Sequence, residues 1–238
     1  MKLFHTIKND HMYWLVDQVK QEQVSAHTYI EAFTELFNEW KQQDCHYISV
    51  LMDETNHKQM IELGFSKISS IVEYTRELQE VSRHQSNILT HSLIEGKMSD
   101  QDFAVLYQTC CSGTANKNKQ QSVDEFMRSL QSELGLTWRE HCYYFKSGDE
   151  VIGLAIPHIE MGTVNEGRLF YFGVVPKWRN QGNGTKIHQI ALVLLKDMQA
   201  TYYVGSTDTA NQPMISIFLQ NHCKLRDRKG IYRFEQSS

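Results

Sequence analysis

The 238-residue chain holds only three prolines, so glycine and polar clusters must supply most of its punctuation. No window offers the roughly 20 apolar residues of a membrane span, and the start, MKLFHTIKND, lacks the apolar core of a signal peptide. The expectation is no membrane partner and a cytoplasmic location. A basic excess is also missing: the net charge is −4, and Arg226, Arg228 and Lys229 form a short run that reads as a solvated turn. That argues against nucleic acid as a partner, because phosphate binding needs clustered Lys and Arg. The five cysteines lack CxxC spacing and fit reduced thiols better than a disulfide framework or a zinc site. The eleven histidines are scattered, His158 and His188 read as structural, and no metal is expected.

What remains is a composition of 41% hydrophobic and 22% charged residues, typical of a globular protein with a real core. Two early stretches, NDHMYWLVDQVKQEQ and AHTYIEAFTELFNEWKQQ, carry apolar residues at three- and four-residue spacing and predict amphipathic helices. CHYISVLMD and KISSIVEYTREL then read as strands around a short helix ended by Gly64, so residues 1–80 read α, α, β, α, β. From residue 85 the reading is a strand NILTHSLIEG, a helix capped by Ser99 and a second helix SVDEFMRSLQSEL. A hairpin turning at Ser147, Gly148 and Asp149 follows, then strand, loop, helix, strand, helix and a last strand GIYRFEQ. The polar stretch CSGTANKNKQQ reads as a mobile loop.

The two segments echo one another. Aligning Asn56 with Asn211 also aligns Asp53 with Asp208 and Tyr47 with Tyr202, and each copy leads into a helix and a strand. Either this is chance between two β-α-β pieces, or residues 1–80 are a reduced copy of the C-terminal half, without its glycine-rich loop.

That loop lies in GVVPKWRNQGNGTKIHQIALVLLK, residues 173–196. Gln181, Gly182, Asn183 and Gly184 at a helix start let several backbone N–H groups converge on one spot, which attracts phosphate, and Arg179 adds a charge at the loop entrance. The spacing fits neither GxxxxGK[ST] nor GxGxxG, which argues against nucleotide hydrolysis and hydride transfer.

The order Val174, Pro176, Arg179, Gly182, Gly184, Thr207, Asn211 resembles the acyl-CoA-binding motif of the GNAT (GCN5-related) N-acetyltransferases. That pattern is an apolar strand ending in V-x-P, then [RQ]-x-x-G-x-[GA] opening a helix, then a Thr-x-x-x-Asn before the next helix. The resemblance covers about residues 85 to 236. It implies an α+β fold, with a mixed, mostly antiparallel twisted sheet flanked by helices, and an N-terminal half-domain of the same kind over residues 1–80. It also implies a cosubstrate, acetyl-CoA, whose pyrophosphate is held by Asn180, Gln181, Gly182, Asn183, Gly184 and Thr185. Val174 and Val175 would pair with its pantetheine through their backbone and free one N–H for the thioester oxygen, with Asn211 and Phe218 also on the cofactor side.

The proton-handling groups are less plain. Strict alternation on the strand puts Arg168, Phe170 and Phe172 on one face and Leu169, Tyr171 and Gly173 on the other, with no carboxylate or imidazole on either. Many members of the family place a Glu or His base at the positions of Arg168 and Phe170, and a Tyr acid seven residues after the Asn, where this chain has Phe218. Arg168 and Phe170 are therefore substrate-binding candidates, Arg168 for a carboxylate or phosphate. Glu166, Asp208 and Tyr171 are the catalytic candidates, with Glu160 and His158 as further candidate bases, and any of these bases would act through water. The activity implied is acetyl transfer to a small-molecule or peptide amine by a monomer or homodimer. The alternative is a noncatalytic acyl-CoA-binding protein.

Overall fold

A computed structural model describes residues 3–9, 12–21, 23–83, 86–114 and 122–236. The loop expected at CSGTANKNKQQ falls partly outside them, at residues 115–121. The chain forms two compact units, one of residues 1–72 with 226–238, the other of residues 73–225.

The first unit opens with β1 (Phe4–Asn9) and β2 (Tyr13–Gln18), an antiparallel pair in which Phe4 faces Gln18 and Asn9 faces Tyr13. The helix expected over NDHMYWLVDQVKQEQ is thus corrected to a strand. Trp14, Val16 and Gln18 are buried at alternate positions, whereas Met12 and Leu15, which fit the helical period equally well, are exposed. The decisive factor is the pairing with β1, a strand whose own pattern is too weak to read because only Phe4 is buried.

Helix α1 (Ala26–Lys41) starts at Ser25, whose side chain accepts from the Thr28 N–H, and buries Tyr29, Phe33, Phe37 and Trp40 on one stripe. Phe33 stacks on Phe37 at 6.1 Å and Phe37 on Trp40 at 5.8 Å, with Phe65 and Phe234 closing the cluster. Each such ring contributes about 1.5–3 kcal/mol of burial. The helix leads to β3 (Tyr47–Asp53), parallel to β2, then to the short α2 (His57–Glu62) and β4 (Ser66–Glu77). The last strand of the chain, β10 (Lys224–Glu235), pairs antiparallel with β3 from Lys229 opposite Asp53 to Glu235 opposite Tyr47.

In the second unit the strand order is β4, β9 (Tyr202–Asp208), β8 (Glu166–Val174), β7 (Glu150–Ile159), β6 (Tyr143–Ser147) and β5 (Ile88–Ser92). The pairs from β5 to β8 are antiparallel and β8–β9 is parallel. Helices α3 (Asp100–Cys111) and α4 (Val123–Leu134) cover one face through Phe103, Leu106, Cys110, Phe126 and Leu130. Helix α5 (Asn183–Asp197) covers the other with Ile187 and Ala191, and α6 (Gln212–Gln220) precedes β10. The expected mixed, mostly antiparallel sheet flanked by helices is the architecture found.

The echo is longer in space than in sequence. In one unit β1–β2 is antiparallel and β2–β3 parallel around α1; in the other β7–β8 is antiparallel and β8–β9 parallel around α5. Asp53 and Asp208 each accept the N–H two residues on, at 2.9 and 2.7 Å, and Asn56 and Asn211 each stand at the start of the following helix.

Candidate active site

Two parallel strands that begin as a pair and then part create the site. β8 and β9 are in register only at Glu166–Tyr202 and Gly167–Tyr203, and residues 168–172 of β8 are all partly exposed. On its other side β8 stays paired with β7, but the register slips: Tyr171 lies opposite Ile156 and Leu169 opposite Pro157, leaving Phe170 as an extra residue. Pro157 has no N–H to give the ladder, and a bulge opposite it accommodates the loss.

The bulge corrects the alternation expected along this strand. Phe170 and Tyr171 both pack toward α3 and α4, while Leu169 and Phe172 pack on the α5 side. Of the two valines, Val175 donates its N–H to the Ile152 carbonyl at 2.9 Å and is not free. Antiparallel bonding alternates along a strand, so the Val174 N–H points away from β7, to the side that β9 has vacated.

Beyond β8 the chain passes Pro176 and reaches Arg179. Its guanidinium does not reach out of the loop as expected. It donates to the carbonyls of Val174 at 2.9 Å, Cys110 at 2.9 Å and Gly113 at 3.0 Å. The negative end of α3 attracts the cation, and the fork ties that helix end to the end of β8. The turn itself is as expected: Gly182 adopts φ 76° and Asn180 φ 58°. A Cβ on Gly184 would lie 2.8 Å from Ile217, so that glycine serves close approach of α6. Asn183 and Gln181 donate backward to the carbonyls of Trp178 and Lys177. No side chain caps α5, and the first N–H groups of a helix have no partner inside it.

Val174, Arg179, Asn180, Gly182, Gly184, Thr185 and Asn211 line one cavity of about 570 Å³, together with Cys110, Tyr171 and the α6 residues Pro213, Ile217 and Gln220. The stripe Pro213, Ile217, Gln220 follows helical spacing, a signal that sequence reasoning missed. Phe218 lies about 100° around the helix from Ile217. It is buried, stacked on Tyr74 at 5.0 Å, and the expected cofactor contact at Phe218 is corrected to a core position. Asn211 spends its side-chain oxygen on the Met214 N–H and its amide on Thr207, so it shapes the cavity as the cap of α6. The start of α5 is held from below. Asn221 donates to the Thr185 carbonyl and lies 3.0 Å from His188 Nδ1, and His188 Nε2 faces the Tyr203 hydroxyl at 3.3 Å.

Residues 105–222 match the Acetyltransferase (GNAT) family. The chain carries a GNAT-family domain. Among solved structures, a GCN5-related N-acetyltransferase from Sphaerobacter thermophilus is similar over 98% of this chain and 76% of its own, with TM-score 0.68 and 12% identity. A GNAT-family acetyltransferase from Colwellia psychrerythraea aligns over 99% and 81% at TM-score 0.60 and 13% identity. A tandem GNAT protein of the clavulanic acid biosynthesis pathway aligns over 95% and 76% at TM-score 0.59 and 13% identity. At such identities the likeness is one of fold. No curated protein matches the sequence.

Within the GNAT domain the catalytic candidates separate. Tyr171 is in the cavity: a Cβ on Gly173 would meet its hydroxyl at 2.8 Å. Burial pushes its pKa far up, so it stays a neutral hydroxyl, and it accepts from the Cys111 thiol at 3.3 Å. The neighbouring Cys110 thiol is pushed up to about 12 by burial and stays protonated. Glu166 is at the opposite end of β8, eight residues or roughly 26 Å from Val174. Its carboxylate accepts from Arg168 at 2.7 Å and Tyr202 at 2.9 Å. Asp208 accepts the Ala210 N–H in the turn before α6. Neither lines the cavity. Arg168, expected to hold an anionic substrate group, instead faces Glu166 at 2.7 Å, Glu160 at 3.8 Å and Glu73 at 3.9 Å, and its charge is already met. Phe170 is the bulge residue and packs toward Phe126. No helix of the described residues is long and apolar enough to cross a membrane, and no group of three or more His, Cys, Asp or Glu among them is placed to hold a metal.

Proposed function

We propose that the GNAT domain transfers an acetyl group from acetyl-CoA to a primary amine by direct attack in a ternary complex. The observation that carries this reading is that the open gap beside β8 and the uncapped start of α5 face one cavity. The fit to acetyl-CoA is local: Gly182 leaves open space at the start of α5, and no carboxylate among the described residues lines the cavity. When bound, the cosubstrate supplies the thioester.

The amides from Asn180 to Thr185 hold the pyrophosphate, aided by the helix dipole. The Val174 N–H orients and polarises the thioester carbonyl, as a preformed donor does for developing oxyanion charge. Tyr171, held neutral, donates a second hydrogen bond in the same space, and its raised pKa makes it a donor rather than a proton-transfer acid. The amine attacks in its neutral form, the C–S bond breaks as the N–C bond forms, and the amine's proton passes through water to the departing thiolate, because no imidazole or carboxylate among the described residues lines the cavity.

That same lack of a base favours the second reading, a noncatalytic acyl-CoA-binding protein. Acetyl-CoA affinity by calorimetry, followed by amine-dependent release of CoA thiol, decides between them. Affinity with turnover supports the transferase; affinity without turnover across an amine panel supports the binder, and no affinity overturns both.

A further inference from the structure

Beneath α5, Tyr203, His188 and Asn221 are 1%, 0% and 3% exposed, three polar side chains set in the core. Replacing both partners of a buried hydrogen bond by apolar groups is nearly neutral, so stability alone does not call for them. Their bonds run in one direction. The Asn221 amide nitrogen has two protons and faces the Thr185 carbonyl at 3.1 Å and His188 Nδ1 at 3.0 Å. Both must accept, so the neutral His188 ring carries its proton on Nε2 and donates it to the Tyr203 hydroxyl at 3.3 Å. Tyr203 belongs to the last pair of β8 and β9 before they part, and the His188 ring meets Phe172, a wall of the cavity, edge-on at 5.6 Å.

At its other end the chain of bonds continues through the backbone. The Thr185 carbonyl belongs to the same peptide as the Lys186 N–H, which donates to the Gly182 carbonyl at 3.3 Å. That carbonyl shares a rigid peptide plane with the Asn183 N–H, which points the opposite way, out of the start of α5. Holding the underside of this turn therefore aims the amides on its upper side. Asn221 is itself held by its neighbours. Arg76 donates to its carbonyl, and Gln220 beside it accepts from the Thr185 hydroxyl at 2.6 Å. His222, the next residue, takes φ 55°, a conformation that few residues other than glycine adopt and that persists where surrounding contacts enforce it.

We propose that Asn221 is a positioning residue for the cosubstrate pyrophosphate, acting through Thr185 and Gly182 to aim the first amides of α5, while His188 holds its amide in the required orientation. This rests on the acyl-CoA reading above, which the transferase and the binder share. Asn221 is not among the residues lining the cavity, so its effect reaches the ligand only through the turn.

The test measures acetyl-CoA binding by calorimetry for the wild-type chain, Asn221→Leu, Asn221→Ser and His188→Leu, with melting temperatures checking the fold. S-acetylpantetheine, which has the same thioester arm without the pyrophosphate, is titrated beside it. Leu192→Ala serves as a control that loosens the same helix without touching these bonds. Acetyl-CoA affinity should fall about 10-fold in the Asn221 variants and less in His188→Leu, while S-acetylpantetheine affinity holds. The Leu192→Ala control should keep its acetyl-CoA affinity, and any one folded Asn221 or His188 variant suffices for the comparison. If amines are acetylated, KM for acetyl-CoA should rise in proportion while kcat holds. Equal losses for the two ligands, or a loss in Leu192→Ala as large as in the Asn221 variants, would overturn the proposal. Wild-type affinity retained in the Asn221 variants would sink it alone, whereas no acetyl-CoA affinity in the wild-type chain would sink the acyl-CoA reading with it.

Discussion

Arg179 donates from Nε to the carbonyl of Val174 at 2.9 Å, so the residue that opens the glycine turn also fixes the end of the strand that would present the thioester contact. Its other two bonds hold the end of α3 through Cys110 and Gly113. Charge-assisted bonds of this kind contribute about 1.5–3 kcal/mol each when both partners are removed from water, less where solvent reaches them. Arg179→Ala should therefore lower unfolding free energy by about 2–4 kcal/mol in urea titrations without ligand. A stability equal to wild type, with only acetyl-CoA affinity reduced, would return Arg179 to the role of a free phosphate ligand.

Gly182 separates conformational from electrostatic effects. A Cβ there meets nothing within 4 Å, yet φ is 76°. Gly182→Ala should cost about 1–2 kcal/mol of stability and retain most acetyl-CoA affinity. Gly182→Asp places a carboxylate over the same amides that a pyrophosphate would use and should reduce affinity at least 10-fold in calorimetry. Equal affinity in the two variants would refute the loop assignment.

Much of this site was legible because the loop is local. Two glycines before a helical pattern describe their own geometry, whatever lies elsewhere in the chain. What the sequence concealed is set by partners distant in the chain. Pro157 on β7 decides that Phe170 bulges and that Tyr171 turns toward α3, and Cys110 and Gly113 decide where the Arg179 guanidinium points. The same reasoning covers β2, whose apolar spacing fits two periods until β1 selects one. Phe218 was misplaced for another reason: counting seven residues from Asn211 fixes a position along α6 but not which face the cavity takes.

Tyr171→Phe removes a hydroxyl while keeping the ring against Tyr107, 4.6 Å away. Acetyl-CoA affinity should hold and kcat should fall about 10-fold, the equivalent of one hydrogen bond of about 1.4 kcal/mol made in the transition state. Steady-state kinetics with a good amine acceptor reads this directly. An unchanged kcat would remove Tyr171 from the mechanism.

His188 is fully buried, and burial, with Arg76 nearby, pushes its pKa down to about 3 from 6.5. The folded state favours the neutral ring, so its contribution is complete above about pH 6.5 and is lost as pH falls toward 3, because the unfolded chain takes up the proton first. The slope from this residue is at most about 1.4 kcal/mol per pH unit. Urea denaturation at pH 7 and pH 5 should show wild type losing more stability than His188→Gln over that interval. Parallel losses in the two proteins would count against it.

The first compact unit consists of residues 1–72 closed by residues 226–238, and β3 takes β10 as its antiparallel neighbour. On the ribosome, residues 1–72 must wait for residues 226–238. Through nearly all of synthesis, one edge of β3 has no strand to bond, while Phe37, Trp40 and Phe65 await Phe234, which meets all three in the finished fold. The order of translation thus leaves the aromatic cluster of the N-terminal unit incomplete until Phe234 emerges.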